Sequence, residues 1–364
     1  MKKILSVVGA RPNFIKIAPV ARALKKYRKE VKHILCHTGQ HFDKKMSEVF
    51  FEDLKMPKPD FNLGVGGGSH AEQTARIMLE MEKVMTEVKP DLVIVPGDVN
   101  STMAAALVAS KMGIPIAHVE AGLRSYDKTM PEEINRIVTD VVSDFLFVTE
   151  HSGMHNLRGE GMDDDKIFFV GNTMIDTLDE NYDAVEGCDI TDRLGLEKER
   201  YIVATFHRPS NVDDKGNLEA LLETMGRLAG ERKLIFPVHP RTRKNIKAFG
   251  LDRLITKNLL LTDPLGYIDF LSLMRYAELV ITDSGGIQEE TTYMGVQCIT
   301  VRKNTERPVT VDVGTNHLVG TGMEKVEKTA MDILGGTTKP GRIPELWDGK
   351  AAKRIAAILM EHKE

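Results

Sequence analysis

The sequence has few cysteines and no hydrophobic run long enough to cross a membrane. Its 364 residues include only three cysteines, Cys36, Cys188 and Cys298, without the close spacing of a metal site or a disulfide framework. The longest apolar runs have strand length, whereas a helix needs about 20 apolar residues to cross a bilayer. The basic start, "MKKILSVVGARPNF", is interrupted by Arg11 and Pro12 and therefore predicts a strand rather than a signal peptide. These features predict a reduced, soluble, cytoplasmic protein with no contact to membranes.

The sequence also lacks an excess of charge and the common cofactor motifs. Its 49 basic and 53 acidic residues give a formal net charge of −4, which argues against a protein that coats nucleic acid. It has no G-x-x-x-x-G-K-[ST] loop, and no Gly-x-Gly-x-x-Gly turn follows the first apolar run. It also lacks an H-E-x-x-H zinc motif. We therefore expect neither a bound nicotinamide or flavin cofactor nor a required metal.

Short β-branched runs alternate with longer amphipathic segments along the whole chain. The strand-like runs are 4–8, 33–37, 91–95, 114–119 and 144–148 in the first half, and 201–206, 234–238, 259–262, 279–282 and 297–301 in the second. Apolar residues recur at helical spacing between them, for example over 71–88 and 100–112. Alternation of this kind predicts parallel strands that are joined by crossover helices.

A polar segment near the middle of the chain marks the expected domain boundary. Residues 180–199, "ENYDAVEGCDITDRLGLEKE", carry no strand pattern. We therefore expect an α/β protein of two Rossmann-like, doubly wound domains, 1–180 and 181–364, that face each other across a cleft. A last helix over 350–363 could pack on either domain.

Polar residues follow strand after strand, where ligands bind in folds of this kind. They are Arg11, Asn13, Gln40, His41, Gly97, Asp98, His118, Glu120, His207, Arg208, His239, Arg241, Asp283, Ser284, Gly285 and Gly286. A solvated loop would explain any single one of them. The repetition of histidine, arginine and carboxylates in both halves instead predicts a binding site in the cleft.

The stretch "TDSGGIQEE", 282–290, predicts a phosphate site. Glycines let a ligand approach the backbone, and a helix start offers unpaired N–H groups and the positive end of a dipole. The alternative is a tight turn with Ser284 as a helix cap. That alternative explains the serine but not both of the glycines after it.

A second dense cluster is "HVEAGLRSYDKTMPEEINR", 118–136. Together with Asp98 it offers Glu120 and Glu132 as carboxylates for proton transfer, provided that their pKa values are pushed apart. Glu133 fits a surface capping role, and Arg136 has the spacing for an i,i+4 ion pair with Glu132.

Two histidines and an arginine complete the candidates of the second half. His207 follows a strand in "FHRPSN" and could neutralise a pyrophosphate or protonate a leaving oxygen. His239 repeats this pattern in "PVHP", although a single histidine in such a place is more often structural. Arg307 follows the last strand, where it could reach the substrate.

Read in order, these motifs resemble those of the non-hydrolysing UDP-N-acetylglucosamine 2-epimerases over nearly the whole chain. They are "GARPNFIKIAPV", "PGDVNST", "HVEAGLRS…MPEEINR", "FHRPSN", "TDSGGIQEE" and "RKNTERP". The resemblance implies domains of the type shared with GT-B glycosyltransferases, a homodimer and no redox cofactor. It also implies loss of the C2 proton and anti elimination of UDP to a 2-acetamidoglucal, followed by re-addition of UDP.

The resemblance assigns roles residue by residue. It implies acidic catalytic residues at Asp98, Glu120 and Glu132, and an essential histidine beside the phosphates at His207. The implied UDP-binding residues are Arg11, Ser284, Gly285, Gly286 and Glu290. The implied substrate-binding or otherwise essential residues are Lys16, Arg136, His239 and Arg307.

The chain departs from the family pattern in three places. It has "GDVNST" where many members carry a run of threonines, and "HRPSN" where they commonly have His-Arg-Arg-Glu or His-Arg-Ala-Glu. Bacterial members bind a second UDP-N-acetylglucosamine as an activator, partly through a "QHR"-type segment. Here that segment reads "QHFD", which keeps Gln40 and His41 as a candidate activator site but changes the residues after them.

Four other functions remain open from the sequence. A hydrolysing epimerase would release free N-acetylmannosamine from the same glycal, and a related epimerase would act on a diacetamido-uronic acid nucleotide. A GT-B glycosyltransferase would use the same fold and phosphate site but would need at most one of the carboxylates. A nucleotide-sugar sensor would bind without turnover.

Overall fold

The computed structural model describes residues 1–40, 54 and 56–361, which form two compact α/β units. The first unit is Met1–Glu180 together with Glu345–Glu364, and the second is Asn181–Pro344. Within the described part of the chain, no helix is long and apolar enough to cross a membrane.

The first unit is built on a parallel sheet whose strands lie in the order β3-β2-β1-β4-β5-β6-β7. Its strands are β1 (Lys2–Val8), β2 (Val31–His37), β3 (Phe61–Asn62), β4 (Leu92–Pro96), β5 (Ile116–Ala121), β6 (Phe145–Val148) and β7 (Ile167–Phe169). Every residue of β4 and β5 is buried. Burial on both faces is typical of a parallel sheet that helices cover on each side, and it explains the continuous apolar runs in the sequence.

The second unit repeats this plan with the parallel order β10-β9-β8-β11-β12-β13. Its strands are β8 (Tyr201–Thr205), β9 (Lys233–Pro237), β10 (Leu259–Thr262), β11 (Leu279–Thr282), β12 (Gln297–Thr300) and β13 (Asn316–Leu318). The short strands β3, β7 and β13 lie at sheet edges and were not predicted, because two or three residues give no periodic pattern.

Helices connect the strands in both units. Those of the first unit are α1 (Arg11–Leu24), α2 (His70–Val88), α3 (Asn100–Lys111), α4 (Pro131–Val142), α5 (His151–Gly159), α6 (Thr173–Glu180) and α16 (Ala351–Glu361). Those of the second are α7 (Tyr182–Glu186), α8 (Ile190–Arg193), α9 (Pro209–Val212), α10 (Lys215–Glu231), α11 (Pro240–Ala248), α12 (Tyr267–Arg275), α13 (Gly285–Met294), α14 (Pro308–Asp312) and α15 (Met323–Leu334). Helices α1, α6 and α16 pack together, and α3 packs against α2 and α4.

The last described helix, α16, belongs to the first unit although it comes after the second unit in sequence. Its start is capped by the buried carboxylate of Asp176, which accepts hydrogen bonds from the backbone N–H groups of Ala351 (3.0 Å) and Ala352 (2.7 Å). The indole of Trp347 donates to the carbonyl of Thr149 at 3.0 Å. These contacts fix the packing of a helix that the sequence alone could place on either unit.

The strand orders place the candidate residues at two topological switch points. In the first sheet the order reverses between β1 and β4, and in the second between β8 and β11. Helices that follow two such strands lie on opposite faces of the sheet, which leaves a crevice at their carboxyl ends. The turns after these four strands carry Arg11, Asp98, His207 and Ser284, the residues that the motifs single out.

Candidate active site

At the first switch point, Asn13 joins the turn after β1 to the end of β4. Its side-chain oxygen accepts from the N–H groups of Gly9 (3.0 Å) and Ala10 (3.1 Å), and its side-chain nitrogen donates to the carbonyl of Pro96 at 3.0 Å. Asn13 is buried, whereas Arg11 at the first position of α1 is half-buried. The asparagine therefore has a structural role, and the arginine stands at the edge where a ligand can reach it.

Lys16 lies below this turn and pairs with Glu120. The Lys16 Nζ and Glu120 Oε1 atoms are 2.7 Å apart, and both side chains are buried. Lys16 Nζ would also lie 2.9 Å from a Cβ at Gly97, whose φ is +64°. Only glycine fits this turn, because a side chain would be strained by the backbone and would strike the lysine. The ammonium group therefore sits next to both Glu120 and the Gly97–Asp98 turn.

Glu120 is held in a backbone conformation that disfavours its residue type. Its φ is +76°, and the pairing of β5 with β6 is irregular between Val119 and Ala121. Glu120 is thus the extra residue of a β-bulge, a device that re-aims a side chain and is common near active sites. A left-handed conformation at a residue other than glycine costs on the order of 1–3 kcal/mol. The backbone strain at Glu120 therefore reduces the stability of the fold, and in return it sets the direction of this carboxylate.

Arg136 on α4 lies beside the carboxylate of Asp98. Its Nη1 is 3.6 Å from Asp98 Oδ2 and 3.5 Å from Glu133 Oε2, although its side chain is only 1% exposed. None of its three guanidinium nitrogens makes a hydrogen bond to a described residue. A buried guanidinium without such bonds is costly, so these donors are suited to bind a ligand group.

The structure differs from the sequence prediction at the two neighbouring glutamates, Glu132 and Glu133. Glu133 is buried and accepts from the backbone and hydroxyl of Ser125, both at 2.9 Å, and from the N–H of Tyr126 at 2.8 Å. It holds the loop before α4, so its predicted surface role is wrong. The expected pair of Arg136 with Glu132 is also wrong, because the arginine turns toward Asp98 and Glu133. Half-buried Glu132 makes no hydrogen bond or ion pair with another described residue.

Behind these residues lies a buried chain of charges that the sequence did not predict. Asp140 Oδ1 is 2.6 Å from His118 Nδ1, and Asp140 Oδ2 is 2.7 Å from Arg124 Nη1. Arg124 also donates to Glu160. Burial alone would raise the pKa of Asp140, but His118 and Arg124 hold it below its usual value. His118, expected in a turn after its strand, lies inside β5 and is fully buried.

The candidate activator residue Gln40 caps helix α3. Its side-chain oxygen accepts from the N–H of Ser101 at 3.0 Å and from the Ser101 hydroxyl at 2.7 Å. His41, the other residue of that prediction, lies outside the described part of the chain.

At the second switch point, His207 and Asp283 connect the ends of β8 and β11. His207 Nδ1 lies 2.9 Å from Asp283 Oδ1, with the imidazole 51% exposed and the carboxylate fully buried. Asp283 also accepts from the N–H of Arg208 at 3.0 Å and from the Asn211 side chain at 2.9 Å. Burial raises the pKa of Asp283, but the hydrogen bond and the charge of His207 outweigh burial and lower it. The imidazole thus has one fixed edge and one accessible edge.

The "SGG" turn opens α13 as the phosphate interpretation expects. Ser284 occupies the N-cap position, but its side chain makes no capping hydrogen bond, so the cap alternative does not explain the residue. A Cβ at Gly285 would lie 2.5 Å from Arg307 Nη1 and 2.8 Å from Glu306 Oε1. The absence of a Cβ at Gly285 therefore allows the close approach of Arg307 to the helix start, where the dipole already favours an anion.

Arg307 is held there by two buried carboxylates. Its Nε lies 2.9 Å from Glu289 Oε1, its Nη1 contacts Glu306, and all three side chains are buried. Glu289, the first glutamate of "QEE", therefore holds Arg307 in place, a role that the sequence analysis does not assign to it. The second glutamate, Glu290, is also buried, and its charge adds to the effect of burial in raising the pKa of Tyr267.

His239 has a structural contact. It is the N-cap of α11, where its Nδ1 accepts from the backbone N–H of Arg241 at 3.2 Å. The residue itself is exposed.

Taken together, the two units offer different chemistry. The first holds carboxylates beside a lysine and an arginine, an arrangement suited to proton transfer at a carbon or an oxygen atom. The second holds a helix start, a buried arginine and an oriented imidazole, which suit a diphosphate. An enzyme that breaks a bond to a diphosphate and moves a proton needs both sets.

Comparison with known proteins supports this interpretation. The family model for UDP-N-acetylglucosamine 2-epimerase matches residues 22–360. The UDP-N-acetylglucosamine 2-epimerase of Methanococcus maripaludis is 44% identical over 372 residues, which cover 100% of both chains. The UDP-2,3-diacetamido-2,3-dideoxy-D-glucuronate 2-epimerase of Pseudomonas aeruginosa is 41% identical and covers 98% of this chain and 99% of its own.

A solved structure gives the same result. The crystal structure of the Methanocaldococcus jannaschii UDP-GlcNAc 2-epimerase in complex with UDP-GlcNAc and UDP matches with a TM-score of 0.92 and 42% identity, over 99% of this chain and 100% of that one. This match confirms the GT-B-like fold class and the resemblance of the motifs. The chain belongs to the UDP-N-acetylglucosamine 2-epimerase family.

Proposed function

We propose that this protein interconverts UDP-N-acetylglucosamine and UDP-N-acetylmannosamine. A carboxylate removes the proton from C2, the C–H electron pair forms the C1–C2 double bond, and the C1–O bond breaks with its electrons leaving on UDP. The 2-acetamidoglucal stays bound while UDP adds back to C1 and a proton is delivered to the opposite face of C2. The atoms balance without an oxidant, a reductant or water.

The division of chemistry between the units carries this proposal. Proton transfer at C2 needs an acid or base for each face, and Asp98, Glu120 and Glu132 are the candidates of the first unit. Lys16 lies 2.7 Å from Glu120 and can stabilise its ionised form. Arg136 offers N–H groups beside Asp98 that make no hydrogen bond to any residue the structure describes. Substitution of each carboxylate in turn decides which of them serves which face of C2.

The leaving UDP needs donors and positive charge. We assign the diphosphate to Arg11 and to the backbone at Ser284, Gly285 and Gly286, and the ribose hydroxyls to Glu290. We place His207 beside the diphosphate, oriented by its 2.9 Å contact with Asp283. Arg307 lies at the same helix start, where it is paired with Glu289 and Glu306.

The deciding experiment is proton NMR of the purified protein with UDP-N-acetylglucosamine in deuterated water. Formation of UDP-N-acetylmannosamine that carries deuterium at C2 is the expected result. Free N-acetylmannosamine with UDP would indicate the hydrolysing reaction instead. An unchanged sugar that keeps its C2 proton would contradict the proposal.

The carboxylates are tested by Asp98→Asn, Glu120→Gln and Glu132→Gln. Each should lower kcat by about 10²-fold or more while circular dichroism stays unchanged, because general acid–base groups contribute this much. Deuterium wash-in at C2 separates the loss of proton abstraction from the loss of re-protonation. Wild-type turnover in all three variants would show that the carboxylates are assigned wrongly.

A second substrate merits a parallel assay. The relative from Pseudomonas aeruginosa is named for a diacetamido-glucuronate nucleotide and is nearly as similar to this chain as the UDP-N-acetylglucosamine enzymes. That sugar carries a carboxylate at C6. We expect a higher kcat/KM for UDP-N-acetylglucosamine; the reverse ratio would move the assignment to the diacetamido sugar.

We also propose that the protein works as a homodimer, as the family resemblance implies. Exposed apolar side chains on α2 and α4, namely Leu79, Ile134 and Val141, are consistent with a covered surface in the first unit. Light scattering coupled to size exclusion should give twice the chain mass of 40.6 kDa. A monomer at micromolar concentration would contradict this part of the proposal.

A further inference from the structure

His118 lies in the middle of β5 and connects the two turns that carry the acidic candidates. Its Nδ1 is 2.6 Å from Asp140 Oδ1, and its Nε2 is 2.8 Å from the carbonyl oxygen of Gly97. Both the imidazole and the Asp140 carboxylate are fully buried. Gly97 immediately precedes Asp98, so the histidine holds the backbone from which that carboxylate projects.

These two contacts determine the protonation of His118. A carbonyl oxygen can only accept a hydrogen bond, so Nε2 must carry a proton. Asp140 Oδ2 already accepts from Arg124 and from the Gly122 N–H, which favours the ionised carboxylate. An ionised carboxylate can also only accept, so Nδ1 carries a proton as well. Both ring nitrogens then donate, and the ring is an imidazolium cation.

The surrounding charges are consistent with this state. The groups that face His118 and Asp140 are the carbonyl of Gly97 after β4, the guanidinium of Arg124 after β5, and Glu160, which pairs with that arginine. Two cations thus alternate with two carboxylates. A chain of this kind, buried except at Glu160, is tolerated because each charge has an opposite neighbour. A neutral histidine would leave the chain with an excess of negative charge.

Asp140 also holds both flanks of the bulge at Glu120. It contacts His118, two residues before the bulge, and its Oδ2 accepts from the N–H of Gly122, two residues after it, at 3.2 Å. The strained φ of +76° at Glu120 persists only if the segments on each side are fixed. The pair therefore acts on both carboxylates: on Asp98 through the Gly97 carbonyl, and on Glu120 through the bulge.

We propose that His118, as an imidazolium, and Asp140 form a positioning pair that sets the relative placement of Asp98 and Glu120 for the reaction. Neither residue is catalytic, since both are enclosed and contact the acidic candidates only through backbone. The inference rests on the proposed epimerase function. It adds His118 and Asp140 as residues that place the carboxylates and do not themselves transfer protons.

The test is Asp140→Leu, which keeps the branched shape and removes the charge together with both hydrogen-bond acceptors. A leucine side chain accepts nothing from His118 or from the Gly122 N–H, so both flanks of the Glu120 bulge are released and the Asp98 turn moves. We expect kcat to fall on the order of 10²-fold, the scale of a small misplacement of catalytic groups. The dissociation constant for UDP should stay near that of the wild type, because the UDP-binding groups of the second unit are unchanged.

Glu160→Gln is the matched control. It removes the outer ion pair of the same chain, at a side chain that is 34% exposed, and leaves the His118–Asp140 contact in place. Its kcat should stay within about twofold of the wild type, as for other partly exposed pairs. An equal loss in both variants would show a general structural effect and overturn the positioning role.

Nitrogen NMR of the wild-type protein with labelled histidine tests the charge of the ring directly. Both ring nitrogens of His118, assigned by their absence in His118→Gln, should show imidazolium shifts in neutral buffer. A neutral ring would overturn the inference, as would wild-type kcat in a folded Asp140→Leu protein. If the wild-type protein epimerises no substrate, the proposed function fails and the positioning role falls with it, while the nitrogen spectrum still decides the charge.

Discussion

Two histidine–aspartate pairs in this protein use the same contact in opposite surroundings. In His118–Asp140 both side chains are fully buried and both ring nitrogens are engaged. In His207–Asp283 the carboxylate is buried but the imidazole is 51% exposed, and among the described residues only its Nδ1 edge is bonded. The difference shows that the pair by itself does not define a catalytic group. A histidine of such a pair can act on a ligand only if one edge of its ring remains accessible to that ligand.

The largest expected effect comes from the exposed pair. If His207 acts as an acid–base group at the leaving oxygen, as we propose from its place beside the diphosphate, His207→Gln should lower kcat by about 10²–10⁴-fold. The loss of stability should stay below about 1 kcal/mol, as for other partly exposed pairs. Steady-state kinetics and urea unfolding measure both quantities. A large loss of stability without a loss of kcat would reverse the roles of the two pairs.

The buried pair should respond in stability. His118→Gln leaves Asp140 without one of its cations, and breaking a buried ion pair from one side costs about 3–5 kcal/mol. The free energy of unfolding from urea titration should fall by that amount, well beyond the loss in His207→Gln. Equal losses in the two variants would contradict the comparison.

Acid sharpens the comparison, because both aspartates have a lowered pKa in the folded protein. A lowered carboxyl pKa stabilises the fold above the unfolded value of about 3.9, and this contribution is lost as the pH falls through the folded value. The unfolding free energy of the wild type should therefore decrease below about pH 4. Asp283→Asn should show a shallower decrease; parallel curves would mean that the pair contributes nothing to acid stability.

The smallest effect concerns Asp176, a buried carboxylate that caps a helix without a histidine partner. Its burial, the largest cause, raises its pKa to about 6, although the N–H groups of Ala351 and Ala352 act in the opposite direction. Between about pH 4 and this value the folded state binds a proton that the unfolded state does not. The wild type should thus gain stability relative to Asp176→Asn as the pH falls through this window. No difference between the two pH profiles would show that Asp176 keeps its ordinary pKa.

Much of the fold could be predicted because parallel strands that are buried on both faces appear in the sequence as continuous apolar runs. The strands with four or more residues were found within about two residues of their observed ends, the usual precision of such boundaries. The three edge strands of two or three residues were not found, since so short a segment has no period. The packing of α16 on the first unit depends on Asp176 and Trp347, contacts between residues far apart in sequence.

The site was predicted unevenly for the same reason. Motifs single out Asp98, Glu120 and His207 as candidates. Of the residues that hold them, Asp283 is expected only as one of the polar residues after the strands, and Asp140 is given no role. A carboxylate at the end of a helix or strand looks like any polar residue until its partner from another element is known. The bulge at Glu120 could not be predicted from the sequence either, because a bulge is defined by how β5 pairs with β6.

The return of α16 to the first unit has a consequence for synthesis of the protein. Residues 181–344 form the second unit and are synthesised before the segment from Glu345 onward. The first unit, begun earlier, therefore lacks its last helix until the second unit has been synthesised. During that interval the surface that will receive α16 and Trp347 is uncovered, so nascent chains would be most open to chaperones and proteases at the unit that was translated first.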